Sequence, residues 1–296
     1  MIFNGVEIDD TYAEAFSMLG SRLVITADTL ELAMTAATSA TGFATSVIGC
    51  GCEAGIESEL DPARTPDGRP GVSVLIFGVS LSALESQLIA RVGQAIMTCP
   101  TTACYNGLEG EKEINVGGKL RYFGDSYQAS KMLDGKRFWR IPVMDGEFLV
   151  QEKFGVKSGI GGGNLLILAK DIVSCLEAAQ KAVKAMKKIE GVILPFPGGI
   201  VRSGSKVGST YPFLTASTNT PFCPTLRRQV VTSLPEGVNA VYEIVIDGLD
   251  EKAVRGAMGV GLVAICSCDV ISVTAGNYGG TLGQYKFFLH EILKNM

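Results

Sequence analysis

Hydrophobic and polar positions along the 296-residue chain fall into one pattern that is written twice. Residues 23–27 (LVITA) read as a short apolar strand, and Asp28 or Thr29 caps a helix over 29–39 with Leu30, Ala33, Met34 and Ala37 on one face. Residues 45–49 read as a second strand, leading into the irregular GCGCEAGIE. A polar loop with Pro62, Pro66, Gly68 and Pro70 follows, then a strand over 72–77. Gly78 turns the chain, Ser80 caps, and 81–97 is helical. The half ends in CPTTACYNGLEG and short extended pieces up to about residue 145.

The second half repeats these parts. Residues 165–169 (LLILA) form a strand, Asp171 opens a helix to 189, and 192–196 is the next strand. Its exit, PFPGGIVRSGSKVGS, takes the place of GCGCEAGIE. A Pro-rich loop to Pro235, a strand over 240–246, its helix and a strand over 270–275 complete the copy. Aligning GVSLSAL with GLDEKAV superposes the two turns and puts Ser73 at the position of Glu243. A period of half the chain marks an internal duplication, not a solenoid of short repeats. Each half is β-α-β-β-α-β, so the expected fold class is α+β. It has two ferredoxin-like (split βαβ) lobes, 1–145 and 146–296, related by duplication.

The stretch NAVYEIVIDGLDEKAVR, 239–255, carries the candidate chemistry. Alternation puts Ala240, Tyr242, Ile244 and Ile246 on one face of the strand, and Val241, Glu243 and Val245 on the other. Asp247-Gly248 supplies a turn and Asp250 an N-cap. Helices cover one face of such a sheet, and the other is covered by the partner half or another subunit, or stays wet. A covered Glu243 is desolvated between two valines, which raises its pKa and keeps it protonated near neutrality. An open face would leave it merely solvated.

Composition changes the picture in a few places. With 47% hydrophobic residues, 19% charged and mean hydropathy +0.28, the chain has a lightly charged surface, as expected where part of it is buried against other subunits. Apolar runs are too short and interrupted to cross a bilayer, and the acidic start MIFNGVEIDD is unlike a signal peptide, so a cytoplasmic protein is expected. Net charge −4 and the lack of a basic block argue against nucleic acid as partner. Cys50 and Cys52 are spaced C-x-C, as are Cys266 and Cys268, no C-x-x-C pair occurs, and His290 is the sole histidine. Buried thiols fit better than a zinc site, and a thiolate nucleophile lacks its usual histidine.

Two glycine-rich stretches invite comparison with phosphate loops. The run SGIGGG, 158–163, precedes a strand where a dinucleotide motif would follow one, so it reads as a flexible interlobe turn. In GGIVRSGSKVGSTYPF, Arg202 and Lys206 lie among small residues beside Tyr211. That set suits an anionic ligand with a flat ring system, and an exposed polar loop is the alternative.

MIFNGVEIDDTYAEAF, ATGFATSVIGCGCEAGIE, CPTTACYNG, PFPGGIVRSGSKVGS, NAVYEIVIDGLDEKAVR and GNYGGTLGQYKFFLHEIL span essentially the whole chain. Together they resemble the formylmethanofuran:tetrahydromethanopterin formyltransferases. The resemblance implies a cytoplasmic homodimer or homotetramer of archaeal one-carbon metabolism. It implies no metal or prosthetic group, with methanofuran and tetrahydromethanopterin as carrier substrates. Glu243 falls in the segment holding that family's proposed catalytic glutamate.

The chemistry so implied moves a formyl group from a furfurylamine nitrogen to N5 of a reduced pterin. N5 attacks the formamide carbon, and a tetrahedral intermediate forms with charge on oxygen. Holding two carriers in attacking geometry is worth about 7–11 kcal/mol. A protonated, desolvated Glu243 would supply the proton for the departing amine, and loop N–H groups the oxyanion donors. Two other classes fit the residues: a pterin-dependent cyclohydrolase or other acyltransferase, and a non-catalytic carrier-binding subunit.

Overall fold

The computed structural model describes residues 1–204 and 206–296. Packing divides the chain into two compact units, Met18–Gly159 and Met1–Ser17 together with Ile160–Met296. This partition differs from a cut at 145/146 for a simple reason. Both unit boundaries fall inside long strands, Tyr12–Thr26 and Lys153–Ala169, which carry the chain from one set of neighbours to the other without a loop.

In the unit Met18–Gly159, Glu53–Leu60 pairs with Gly71–Gly78, which pairs with the later part of Tyr12–Thr26, which pairs with Ala103–Asn106, antiparallel throughout. Helices Leu30–Thr41 and Leu81–Arg91 begin where Thr29 accepts from the Leu32 N–H and Ser80 from the Ala83 N–H. They pack Ala33, Ala36, Ala37, Ala40, Leu84 and Leu88 into the core with Leu23, Ile25, Val72, Val74 and Ile76. The buried stripe of the first helix is thus all alanine, and Leu30 lies at its exposed edge.

One expectation fails here for a local reason, and a second, the helix over 81–97, holds with a change of helix type. Residues 45–49 are not a strand: Ser46 caps a helical turn, Val47–Cys50, closed by Gly51 at φ 77°, and the strand starts only at Glu53. The helix after Ser80 changes character at Arg91, continuing as a π-type turn over Val92–Ile96. The extended pieces beyond it are organised. Gly146–Gln151 pairs with Ala103–Asn106 and with Lys136–Val143, and Ala129–Leu133 forms an exposed edge.

In the other unit, Ser272–Thr274 pairs with Lys153–Ala169, which pairs with Ala240–Gly248, which pairs with Val192–Ile193, again antiparallel. Asp171 and Asp250 cap the helices Ile172–Met186 and Glu251–Ile265, whose apolar residues share one core with Ile244, Ile246, Leu165 and Ile167. The strand expected over 192–196 stops at Ile193, since Pro195 and Pro197 have no N–H to give a ladder. It resumes as a single bridge between Val201 and Glu243. Ser73 lies across from Val24, and Glu243 across from Leu166. The two residues therefore hold matching places in their own units.

The glycine run is not a turn. It lies inside Lys153–Ala169, where pairing slips between Ile160 and Gly163 and Gly162 takes φ 88°. The extra residue makes a β-bulge, anchored where the Gly162 N–H donates to Asp247 Oδ1 at 3.1 Å. A Cβ on Gly163 would stand 2.7 Å from Val254 Cγ1, so glycine lets helix Glu251–Ile265 lie close on the strand.

Gly155 is confined more tightly, with its N–H bound to Asn106 Oδ1, its carbonyl bound by Ser21 Oγ, and the Leu108 carbonyl oxygen where a Cβ would go. Gly155→Ala is expected to cost about 1–3 kcal/mol or more, lowering the melting temperature by several degrees. Gly256→Ala, in open space on helix Glu251–Ile265, is expected to gain up to about 1 kcal/mol. Calorimetry of both variants checks the pair, and equal melting temperatures would contradict the packing argument.

Candidate active site

Strand Ala240–Gly248 turns Ala240, Ile244 and Ile246 into the helix-covered core, with Tyr242 packed against it. Its other face is covered from within the same unit, where Val241 and Phe222 pack against a cluster of Leu166, Leu168, Leu234 and Val238. The cover expected from a partner half or subunit is supplied instead by the Pro-rich segment that precedes the strand. Glu243 is left 5% exposed, with its backbone bonded both ways to Val201, through N–H···O distances of 2.7 and 3.1 Å. Its side chain lines a cleft of about 800 Å³, together with Asp9, Asn164, Lys206, Asn277 and Tyr278.

The far wall of this cleft is held by a second buried glutamate. Glu14 accepts four backbone N–H bonds: Tyr278 at 2.6 Å and Gly280 at 2.9 Å on Oε2, Leu282 at 2.7 Å and Gly283 at 2.6 Å on Oε1. Burial pushes the Glu14 carboxyl up, but the four N–H dipoles outweigh it and hold the group below its ordinary value. Asn164 clamps the start of the same loop. Its Oδ1 accepts from the Gly276 N–H at 2.6 Å, and its Nδ2 donates to the carbonyls of Gly162 and Gly276 at 3.1 Å each. Asn277 Nδ2 ties the loop to Thr11 Oγ1 at 3.0 Å.

Of the residues singled out in the sequence, Glu243 and Lys206 meet in the large cleft, where Lys206 Nζ lies 3.4 Å from Thr220 Oγ1. Arg202 is exposed and lines a narrow pocket of about 40 Å³ that also touches Glu243 and Phe222. Tyr211 is 60% exposed, packs against Phe213 at 5.6 Å, and lines neither space. Glu14, Asn164, Asn277 and Tyr278 were not evident from patterning. The available signals were separate: a glutamate between two alanines, in YAEAF, and at the far end of the chain a glycine-dense loop, GNYGGTLG, with no local carboxylate to bind its N–H groups. Among the described residues no cluster could hold a metal ion, and no helix is long and apolar enough to cross a membrane. The eight cysteines are free thiols.

A buried carboxyl facing a large cleft of mixed polar and apolar lining suits proton transfer to a bound substrate. Sequence models of one family match almost all of the chain. One described as formylmethanofuran-tetrahydromethanopterin formyltransferase covers residues 1–143, and one described as "FTR, proximal lobe" covers 146–292. The chain belongs to this formyltransferase family. The formylmethanofuran–tetrahydromethanopterin formyltransferase of Methylobacillus flagellatus is 55% identical over 99% of this chain and 100% of its own length. The solved Methanosarcina barkeri formyltransferase matches with a TM-score of 0.94 at 50% identity, over 99% of this chain and all of that one. A chain of the formyltransferase/hydrolase complex of Methylorubrum extorquens, solved with methylofuran, matches with a TM-score of 0.96 at 50% identity, over 99% and 98%. As a member of the formyltransferase family, the chain has a mixed α+β fold with two lobes.

The Glu14 nest gives a direct test. Glu14→Gln removes the charge and turns an amide NH₂ toward two of the four N–H donors. Each hydrogen bond to a charged group is worth about 1.5–3 kcal/mol, so the variant is expected to lose at least about 2 kcal/mol of stability at pH 7. Because the folded pKa is depressed, the Glu14 contribution is complete above the unfolded value of about 4.3 and lost as pH falls through the folded one. Denaturant midpoints measured across pH should therefore converge for wild type and variant in acid. A constant gap would show that the charge is not what matters.

Proposed function

We infer that the protein transfers a formyl group from formylmethanofuran, or a closely related furan carrier, to N5 of tetrahydromethanopterin. One observation supports this most: a buried carboxyl, Glu243, faces a cleft of about 800 Å³, in a chain of this formyltransferase family. We propose that Glu243 is the catalytic acid. The N5 lone pair forms the new C–N bond and the carbonyl π pair moves to oxygen. Collapse breaks the formamide C–N bond, and the departing nitrogen takes the Glu243 proton. The resulting carboxylate receives the proton lost from N5, so the acid is restored in each turnover. Burial favours the neutral acid that this role needs.

Lys206, at the cleft, and Arg202, at the narrow pocket beside it, suit the anionic tails of the carriers. The exposed Tyr211 would have to move to join them, and we keep it as a peripheral contact at most. The two halves, 1–145 and 146–296, are proposed as duplicated ferredoxin-like lobes, a reading supported by the matching strand order and the matching places of Ser73 and Glu243. Thiol chemistry without disulfides fits a cytoplasmic setting.

The test is steady-state turnover with both purified carriers. Glu243→Gln keeps the shape but delivers no proton, so turnover should fall by about 10²–10⁴-fold with little change in carrier binding. Wild-type activity should fall as pH rises through an apparent pKa above about 4.3. Wild-type-like turnover in the variant would leave Glu243 a packing residue, and formyl loss to water without the pterin would favour a hydrolase.

The lightly charged surface supports self-association into a dimer or tetramer. Sedimentation at micromolar concentration should give a multiple of 31.2 kDa. A stable, active monomer would overturn this.

A further inference from the structure

Two pairs of cysteines share the spacing C-x-C, and the fold treats them differently. In the first pair, Cys50 ends the turn Val47–Cys50 and is half-buried, while Cys52 is fully buried just before strand Glu53–Leu60. Gly51 between them takes φ 77°. Two trans peptide steps, bent at Gly51, keep the two Cα atoms within roughly 7 Å, the reach of a disulfide. A Cβ at position 51 would stand 2.9 Å from Gln87 Nε2, so glycine also leaves the pair room beside that side chain.

Four of the thiols are half-buried: Cys50, Cys99, Cys223 and Cys268. Cys99, Cys223 and Cys268 donate to the carbonyls of Leu32, Asn219 and Ala264, at 3.6, 3.3 and 3.7 Å. Such a bond holds the proton on sulfur, even in Cys223, which also touches the Thr218 hydroxyl. Cys50 instead meets the Thr45 hydroxyl at 3.7 Å, a group able to donate to a thiolate. Burial raises the Cys50 thiol, but hydrogen bonds from the Ser46 backbone and from Thr45 outweigh it and hold the group below its ordinary value. Cys52 is tied differently. Its Sγ donates to Gln87 Oε1 at 3.3 Å, and the Arg91 guanidinium donates to the same oxygen through Nε at 3.0 Å.

We propose that Cys50 and Cys52 form a peroxide-reactive site, in which hydrogen peroxide oxidises Cys50 and Cys52 closes the product as a reversible disulfide. The site lies within the unit Met18–Gly159 and is separate from the formyl-transfer chemistry. The Cys50 thiolate attacks one peroxide oxygen and the O–O bond breaks. Hydroxide leaves, takes a proton to become water, and Cys50 is left as a sulfenic acid. The Cys52 sulfur then attacks that of Cys50, and an S–S bond replaces the S–O bond. The Cys52 proton goes to the departing hydroxyl as a second water. In sum, two thiols give up two electrons and one peroxide is reduced to two waters. Burial divides the roles. The accessible thiol meets the oxidant, and burial holds Cys52 above its ordinary value, a thiol until a sulfenic acid forms beside it. The guanidinium one oxygen away then stabilises the thiolate that attacks.

Trypsin separates the two C-x-C pairs, because residues 23–64 hold only Cys50 and Cys52 and residues 256–286 only Cys266 and Cys268. Folded wild-type protein is treated with a few equivalents of hydrogen peroxide, alkylated, digested and weighed by mass spectrometry. Peptide 23–64 is expected to lose two hydrogens and escape alkylation, peptide 256–286 to stay reduced, and dithiothreitol to reverse the change. Cys52→Ser should stop at a sulfenic acid on Cys50 that dimedone traps. Cys50→Ser should slow oxidation of peptide 23–64 by at least about tenfold, since it leaves only the buried thiol. The wild-type result needs no variant to fold. A peptide 23–64 that stays reduced, that oxidises no faster than 256–286, or that goes to sulfinic acid without a disulfide overturns the proposal. So does dimedone labelling that falls on Cys52 in the wild type.

Discussion

Four backbone N–H groups closing on the carboxylate of Glu14 are the interaction on which the cleft depends. Loop 276–285 has almost no regular structure and would lose its shape without them. The conformation they demand is open mainly to glycine: Gly279 and Gly280 take φ 70° and 71°, and a Cβ on Gly283 would come within 2.5 Å of the Ala15 carbonyl oxygen. A buried charge is expensive in isolation, and here the hydrogen bonds more than offset its desolvation. The result is a rigid wall that presents Asn277 and Tyr278 to a cleft whose opposite side is a sheet.

The matching strand position in the two units carries different chemistry. In the unit Met18–Gly159, Ser73 donates to Glu57 Oε2 at 2.6 Å, and Glu57 is bonded by Arg22 through distances of 2.6 and 2.7 Å. The ion pair is partly buried, with the Glu57 side chain the more enclosed partner. At the matching place in the other unit the strand carries Glu243, and Asn164 stands one residue before Leu165 as Arg22 stands before Leu23. Where the first unit has the arginine, the second has the neutral amide of Asn164. The same strand position is thus held by a serine in an ion-pair network in one unit and by a buried glutamate in the other.

Much of this was legible from patterning. The strand alternation around Glu243, the caps at Thr29, Ser80, Asp171 and Asp250, and the repeat itself follow from local periodicity, which acts over a few residues. The parts that were not legible depend on contacts distant in the chain. Glu14 and its loop are separated by 264 to 269 residues, so neither stretch announces the other. The turn at Val47–Cys50 looked like a strand because its apolar residues carry no period over so short a run, and Gly51 decides the matter by its left-handed conformation. Arg202, Lys206 and Tyr211 were grouped by proximity in sequence, whereas the folded loop sends Tyr211 outward.

The bulge at Gly162 has a consequence for how this chain can vary. Side chains on a strand alternate, so one extra residue exchanges the two faces for everything beyond it. Three residues, Ile160 to Gly163, span the distance of two on the partner, Gly248 to Ile246. This offset is what turns Leu165 and Ile167 to the helices, Asn164 to the cleft, and Leu166 to the apolar cluster on the same face as Asn164. The glycine run therefore works as a phase-setter. Losing or gaining a single residue there would put the Asn164 amide in the apolar core and Leu165 on the opposite face, so the run is constrained in length before it is constrained in composition.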